Sequence, residues 1–421
     1  MCLNRKGSIK RYGFLEEKNN GERRGLQDSG PGGIRIFAHL HSLERSARQP
    51  YAAGVRALVD GRALKVGWLK PWPLKEYFRN VQIEKLNVLD EKIRFDIDEI
   101  INAQMDFQRV PGLALGIFHN GERLLKKGYG NSNIELGVNV SPQTLFQSGS
   151  IGKIFTAACI LLLVEDGVLN LDAKITTYFP DAPDTWRNIE LRSFLNHTSG
   201  LEDGELDLQH EYTDTELLQR IYTWPMKFEA GTGWEYSNGG YEILGVLIKL
   251  KTGEHFGKFL KKRIFEPAGM SAARVISDRD IIFNRAAGYE WLGDELKNQN
   301  WVSQYLNSTG DGALYLSLND YQAWDKVVSE RSVLKPETWA VALQPTKAQG
   351  GAIYPYGLGW EIYDVPSGCA VIGHDGAWQG FVTGLRRYES HGLTFVVLTN
   401  AADTDVDMIL EKLIERVLRG I

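Results

Sequence analysis

Apolar and polar positions are organised very differently in the two ends of this chain. Residues 1–85 hold turn formers, Gly30-Pro31-Gly32-Gly33 and Lys70-Pro71-Trp72-Pro73, and isolated charges, with no sustained helical or strand period. They read as an extension without a core. From Leu86 the pattern sharpens: Val88, Ile93, Phe95, Ile97, Ile100 and Ile101 recur among acids, which predicts an amphipathic helix ending near Pro111-Gly112. Leu113–Phe118 and Arg123–Tyr129 alternate around His119-Asn120-Gly121, and Asn-Gly between two such runs predicts a hairpin.

Between Ser150 and Arg263 the period is helical, with helices expected from Ser150 to Asp166 (closed by Gly167), Thr215 to Tyr222 and Gly239 to Lys251. After Arg285 strand patterns return: Ala286 to Trp291, Tyr356 to Tyr363, Ala370 to Gly373, Gly380 to Arg387 and Leu393 to Thr399, then a terminal helix from Asp407 to Leu418. The expected class is α/β (α+β), an antiparallel sheet flanked by helices and built from both ends of residues 86–421. Residues 86–149 and 285–421 form its α/β part; a mostly helical part, 150–284, is inserted, with a cleft at the junction.

Composition narrows the class further. The 421 residues are 43% hydrophobic and 11% aromatic, a globular composition. The longest apolar run, Ile154 to Val164, is broken by Thr156 and is far shorter than a bilayer span, so no transmembrane segment is expected. The start, Met1-Cys2-Leu3-Asn4-Arg5-Lys6, leads into no apolar segment followed by small residues, so no signal peptide is read and the sequence as written is cytoplasmic. Two readings of residues 1–85 stay open, native sequence or upstream sequence admitted by a misplaced start codon; the N-terminal mass of the intact protein separates them. Three cysteines, Cys2, Cys159 and Cys369, are too few and scattered for a disulfide framework or Cys-rich metal site. The net charge of -5 hides a basic head: residues 1–90 carry 17 Lys+Arg against 9 Asp+Glu. Those charges do not cluster, so no nucleic-acid partner is expected.

Three short segments carry candidate chemistry. Ser150-Ile151-Gly152-Lys153 places a hydroxyl and an amine three residues apart, on one face of a helix start. A neutral hydroxyl needs a base beside it, which a lysine of depressed pKa supplies. Ser-x-x-Lys alone arises by chance about once in a chain of this length. Tyr236-Ser237-Asn238 adds a phenol able to relay protons and an amide able to orient a carbonyl, on a loop that opens a helix. His374-Asp375-Gly376-Ala377 follows a strand-like run; Gly376 leaves the cleft open, and the Ala377 amide pairs with the Ser150 amide as oxyanion donors.

In that order, Ser150-x-x-Lys153, Tyr236-x-Asn238 and His374-Asp375-Gly376 resemble the serine β-lactamase and penicillin-binding-protein superfamily. The nearest branch is that of class C β-lactamases with their DD-peptidase, D-aminopeptidase and family VIII esterase relatives. Asn196-His197-Thr198-Ser199-Gly200-Leu201 and Tyr356-Gly357-Leu358-Gly359-Trp360 resemble it too, and the resemblance spans roughly residues 90–415. It implies a β-lactamase/transpeptidase-like fold, an acyl-enzyme on Ser150, and hydrolysis of a small-molecule or peptide ester, amide or lactam without cofactor or metal. By position Lys153 and Tyr236 would be the base pair, Asn238 a substrate amide, and His374, with Gly376 and Ala377, the substrate wall. His374 stands where the family carries a lysine, and a histidine is fully charged only below its pKa, which tilts the expectation toward esterase or peptidase activity. The family is often periplasmic or secreted, unlike this sequence as written. A non-turnover binding or sensor protein and an acyltransferase are the competing functions, and the sequence does not set the oligomeric state.

Other signals carry less. Lys251-Thr252-Gly253 spells a family motif but ends a helix, where lysine and a capping glycine are ordinary. His197 reads as a loop brace, and Trp234, Trp360 and Trp378 flank the motifs as candidates for an acyl pocket.

Overall fold

The computed structural model describes residues 89–364 and 370–420, with two short strands further upstream. The chain divides between residues 71 and 72. In the smaller unit the described part is one antiparallel pair, Leu58–Val59 with Arg62–Ala63, where the sequence reading expects no strand. The residues between them, Asp60 and Gly61, are of the kind two-residue hairpins favour. The expected boundary at residue 85, and Cys2 and Cys369, lie outside the described residues.

The larger unit is built on a seven-stranded antiparallel sheet whose strands come from both ends of the sequence. Helix α1 (Glu91–Gln108) leads into β1 (Gly112–His119), β2 (Glu122–Asn133) and β3 (Val138–Asn139). The C-terminal strands are β4 (Glu361–Asp364), β5 (Ala370–Trp378), β6 (Phe381–Tyr388) and β7 (Leu393–Thr399). Their order is β4-β5-β6-β7-β1-β2-β3, and β7 against β1, Leu393 opposite His119 through Thr399 opposite Leu113, joins the two ends. The predicted hairpin is present: Asn120 and Gly121 take φ of 49° and 81°, the pair of positive values a type I′ turn requires.

Both faces of this sheet are covered, so its central strands are apolar on both sides. Leu113, Leu115 and Ile117 of β1, with Phe395 and Val397 of β7, meet the terminal helices, where Ile93, Ile97 and Ile101 face Ile409, Leu413 and Val417. Ala114, Phe118, Val396 and Leu398 point the other way, into the helical middle of the chain. There α2 (Gly152–Glu165) is buried all round from Gly152 to Leu163. Each such Leu, Ile or Phe contributes about 1.5–3 kcal/mol over exposure.

Three expectations change in detail. The run Tyr356–Tyr363 is a strand only from Glu361, because Gly359 (φ 82°) turns the chain beside α2, where a Cβ would lie 2.6 Å from the Ala157 Cβ. The run from Ala286 forms a strand only at Tyr289–Leu292. Two helices, α4 (Leu318–Glu330) and Pro336–Ala342, lie between Trp291 and Tyr356, where the sequence reading names no element. Ser317 caps α4 in a reciprocal box with Asp320, and Pro336 opens the second helix. Both signals are local and visible in the sequence.

Candidate active site

The Ser150 segment is wedged between two other backbones. The chain leaves the short strand Phe146–Gln147, makes one 3-10 turn over Gly149–Ile151 and enters α2. Gly149 sits at φ 50°, and a Cβ there would lie 2.3 Å from the Ala377 nitrogen. On Gly376 a Cβ would lie 2.0 Å from the Ser148 carbonyl oxygen and 2.9 Å from the Ser150 nitrogen. Only glycine permits this approach, and it brings β5 against the amide of Ser150.

Lys153, in the first turn of α2, is fully buried. Its Nζ donates to Ser150 Oγ at 3.1 Å, Asn238 Oδ1 at 2.8 Å and the Asp311 carbonyl at 2.6 Å. The same nitrogen stands 4.9 Å from the centre of the Tyr236 ring and 5.5 Å from that of Tyr241. Three acceptors match the three donors of an ammonium; a neutral amine that donates to two and accepts from the Ser150 hydroxyl fits the same geometry. One proton moved along the Ser150–Lys153 contact interconverts these arrangements.

Tyr236 and Asn238 are held by the start of α3 (Asn238–Thr252). Ser237 is its N-cap, accepting from the Gly240 amide at 3.1 Å and donating to Asp203 Oδ1 at 2.6 Å. Asp203 also accepts from the Asn238 and Gly239 amides at 2.7 and 3.2 Å. Burial pushes its pKa up against the pull of these donors and of Lys153. His197, held at φ 63°, accepts from the Ser237 amide through Nδ1 at 3.1 Å and lays its ring 4.3 Å from that of Tyr236. It braces the loop, the role its sequence context favours.

His374 lies on β5 as part of the wall, but its imidazole is 1% exposed. Nε2 lies 2.9 Å from the Tyr356 hydroxyl and Nδ1 2.6 Å from the Asp375 carbonyl, which can only accept. The ring is thus a buried component of the wall, 6.2 Å from that of Tyr236. Ala377 fares differently. Gln379 and Gly380, at φ 40° and 79°, close a two-residue hairpin in which Trp378 opposes Phe381. Antiparallel alternation then turns the Ala377 N–H away from β6, toward an edge that β4 does not reach, because β4 pairs only with Ala370–Gly373. The Ala377 and Ser150 nitrogens both lie at the close approach of Gly149 and Gly376.

A family model for beta-lactamase matches residues 97–418. The chain belongs to the beta-lactamase family. It is 29% identical over 320 residues to penicillin-binding protein 4* of Bacillus subtilis strain 168, covering 71% of this chain and 70% of that protein. It is 28% identical over 295 residues to D-aminopeptidase of Brucella canis, covering 68% of this chain but 55% of that protein, so it spans about half the relative's length. Among solved structures, the D-amino acid amidase of Ochrobactrum anthropi SV3 superposes with a TM-score of 0.69 at 23% identity, covering 78% of this chain and 99% of that one. The octameric penicillin-binding protein homologue from Pyrococcus abyssi gives 0.68 at 24% identity, covering 77% of each chain. These two likenesses show the fold.

Within this beta-lactamase family site, several residues have no motif to announce them. Asp203 caps the helix that presents Asn238; Asp311 offers Lys153 a backbone oxygen; Gly310 accepts from Thr156 Oγ1 at 2.6 Å. Trp360, a candidate for an acyl pocket, is 3% exposed and lies in the core beside Trp339. Trp234 and Trp378 are half-buried, the first stacked on Tyr354, the second donating to Asn307 Oδ1 at 2.8 Å. Gly253 of the Lys-Thr-Gly string is the left-handed cap of α3. Among the described residues no group of three or more His, Cys, Asp or Glu is arranged to hold a metal ion, and no helix is long and apolar enough to cross a membrane.

Proposed function

We propose that this chain is a serine hydrolase that cleaves an ester or amide carbonyl through an acyl-enzyme on Ser150. Lys153 takes the Ser150 proton as Oγ bonds to the carbonyl carbon. Tyr236 hands a proton to the departing alcohol or amine as its bond breaks, and is reprotonated from Lys153. Water then adds by the reverse sequence and frees the acid. The Ser150 and Ala377 amides receive the oxyanion, with Gly376 keeping the approach open. Asn238 spends its carbonyl oxygen on Lys153, leaving its N–H groups for a substrate carbonyl.

The observation that carries this reading is the 3.1 Å contact between Ser150 Oγ and a fully buried lysine amine. The names of the relatives, D-aminopeptidase and D-amino acid amidase, support an amide substrate beside a D-centre. His374 supplies no open cation to a free carboxylate, since its ring is engaged by Tyr356, which favours esters and amides over β-lactams.

The test is a panel of short-chain p-nitrophenyl esters, D-amino-acid amides and a chromogenic cephalosporin, with wild type and Ser150→Ala compared on each. Wild type should turn over an ester or amide and form a mass adduct on Ser150; Ser150→Ala should do neither. Retained turnover in Ser150→Ala defeats the reading. A stoichiometric burst with no steady state moves it to a binding or sensor protein, and transfer of the acyl group to an added alcohol or amine moves it to an acyltransferase.

A further inference from the structure

Glu242 lies on α3, one turn after Asn238, in a stretch of the helix where Tyr241, Ile243, Leu244 and Leu247 are buried as well. The residue is 7% exposed, and its Oε2 is buried with no hydrogen-bond partner.

The titratable groups within electrostatic reach of it come from four segments: Asp311 from the loop before β-strand Leu314–Leu316, Asp203 from the segment that caps α3, Lys153 from α2, and Tyr305 from the preceding loop. The donors nearby are directed elsewhere. The Tyr305 hydroxyl donates to Asp214 at 2.8 Å, Thr309 Oγ1 to Asp311 at 2.6 Å, and Lys153 to its three neutral acceptors. A carboxylate here would bring negative charge near two other acids with its Oε2 buried and unbonded, an arrangement costlier than a neutral acid.

Resting on the Lys153 mechanism above, we propose that Glu242 is a positioning residue held as a neutral carboxylic acid, which keeps negative charge near Lys153 low enough for the amine to act as a base. Its ionisation at alkaline pH restores that charge, holds Lys153 as an ammonium and stops turnover. Burial, reinforced by the charges of Asp311 and Asp203 against the opposing pull of Lys153, raises the Glu242 pKa well above the ordinary carboxylate value, in agreement with this assignment.

The experiment pairs kinetics with infrared spectroscopy on the full chain. Wild-type kcat/KM should fall at alkaline pH, whereas Glu242→Gln, neutral at every pH, should hold about the same value at neutral pH and lose the alkaline fall. The protonated-carboxyl stretching band of the wild type at neutral pH should be missing in Glu242→Gln and should titrate away with the alkaline limb. Superimposable pH profiles, or no such band in the wild type, overturn the proposal. Should Glu242→Gln fail to fold, Glu242→Leu gives both readouts with the helix face filled. The Ser150 mass adduct is measured alongside: its absence removes the hydrolase reading while the band still reports the charge of Glu242.

Discussion

Lys153 and Arg387 are both buried cations, 0% and 5% exposed, and the molecule holds them in opposite ways. Arg387, on β6, meets carboxylates directly: Asp325 at 2.5 Å and Glu389 at 2.6 Å. Asp325 in turn accepts from the Gly121 amide at 2.7 Å, so this pair ties α4 to the sheet and to the β1–β2 hairpin. Lys153 instead donates to a hydroxyl, an amide oxygen and a backbone carbonyl, while Asp203 and Glu242 act on it through space. Neutral acceptors suit a lysine that gives up and regains a proton, as the proposed mechanism requires of Lys153.

Exchanging each cation for methionine breaks the comparison most directly. Lys153→Met should lower kcat/KM per folded molecule by about 10²–10⁴-fold, the worth of a positioned base. Measurement on the most responsive substrate of the panel decides it, and activity kept within an order of magnitude would make Lys153 as architectural as Arg387. Arg387→Met leaves Asp325 buried without its partner and should cost about 3–5 kcal/mol in chemical denaturation. Its folded fraction should turn over substrate like wild type; a selective loss of kcat would mean the two charges are not separable.

The unequal legibility of these sites in the sequence has a physical basis. Ser150 and Lys153 were readable because a helix start brings residues three apart into contact, and Tyr236 and Asn238 because they flank one N-cap. The β1–β2 hairpin was readable from Asn120-Gly121, whose conformation few other pairs adopt. Asp203 reaches the Asn238 amide across 35 residues, and the Asp311 oxygen reaches Lys153 across 158. Such contacts depend on chain closure, and a backbone carbonyl has no residue type by which to be recognised. Trp360 was misplaced because the turn at Gly359 directs it inward, which proximity to a motif does not reveal. Helix α4 has Ser317 and Asp320 marking its start, a local capping box that the sequence reading does not use.

The smallest effect sharpens the contrast through stability. Glu242 has its pKa raised on folding, so the folded chain holds that proton more tightly than the unfolded chain. The resulting stabilisation is fully present below the ordinary value of 4.5 and is lost as pH rises through the raised one. Glu242→Gln has no such proton to lose. Its melting temperature should therefore gain on that of the wild type as pH rises, by roughly 2–4 °C for each kcal/mol of the lost term. Asp325→Asn serves as the architectural control: it removes a carboxylate already paired with Arg387 and should lower stability at neutral pH. Scanning calorimetry of both variants from acid to alkaline pH reads the two behaviours together. A constant offset for Glu242→Gln across that range would place Glu242 with Asp325 among the architectural acids and remove its link to Lys153.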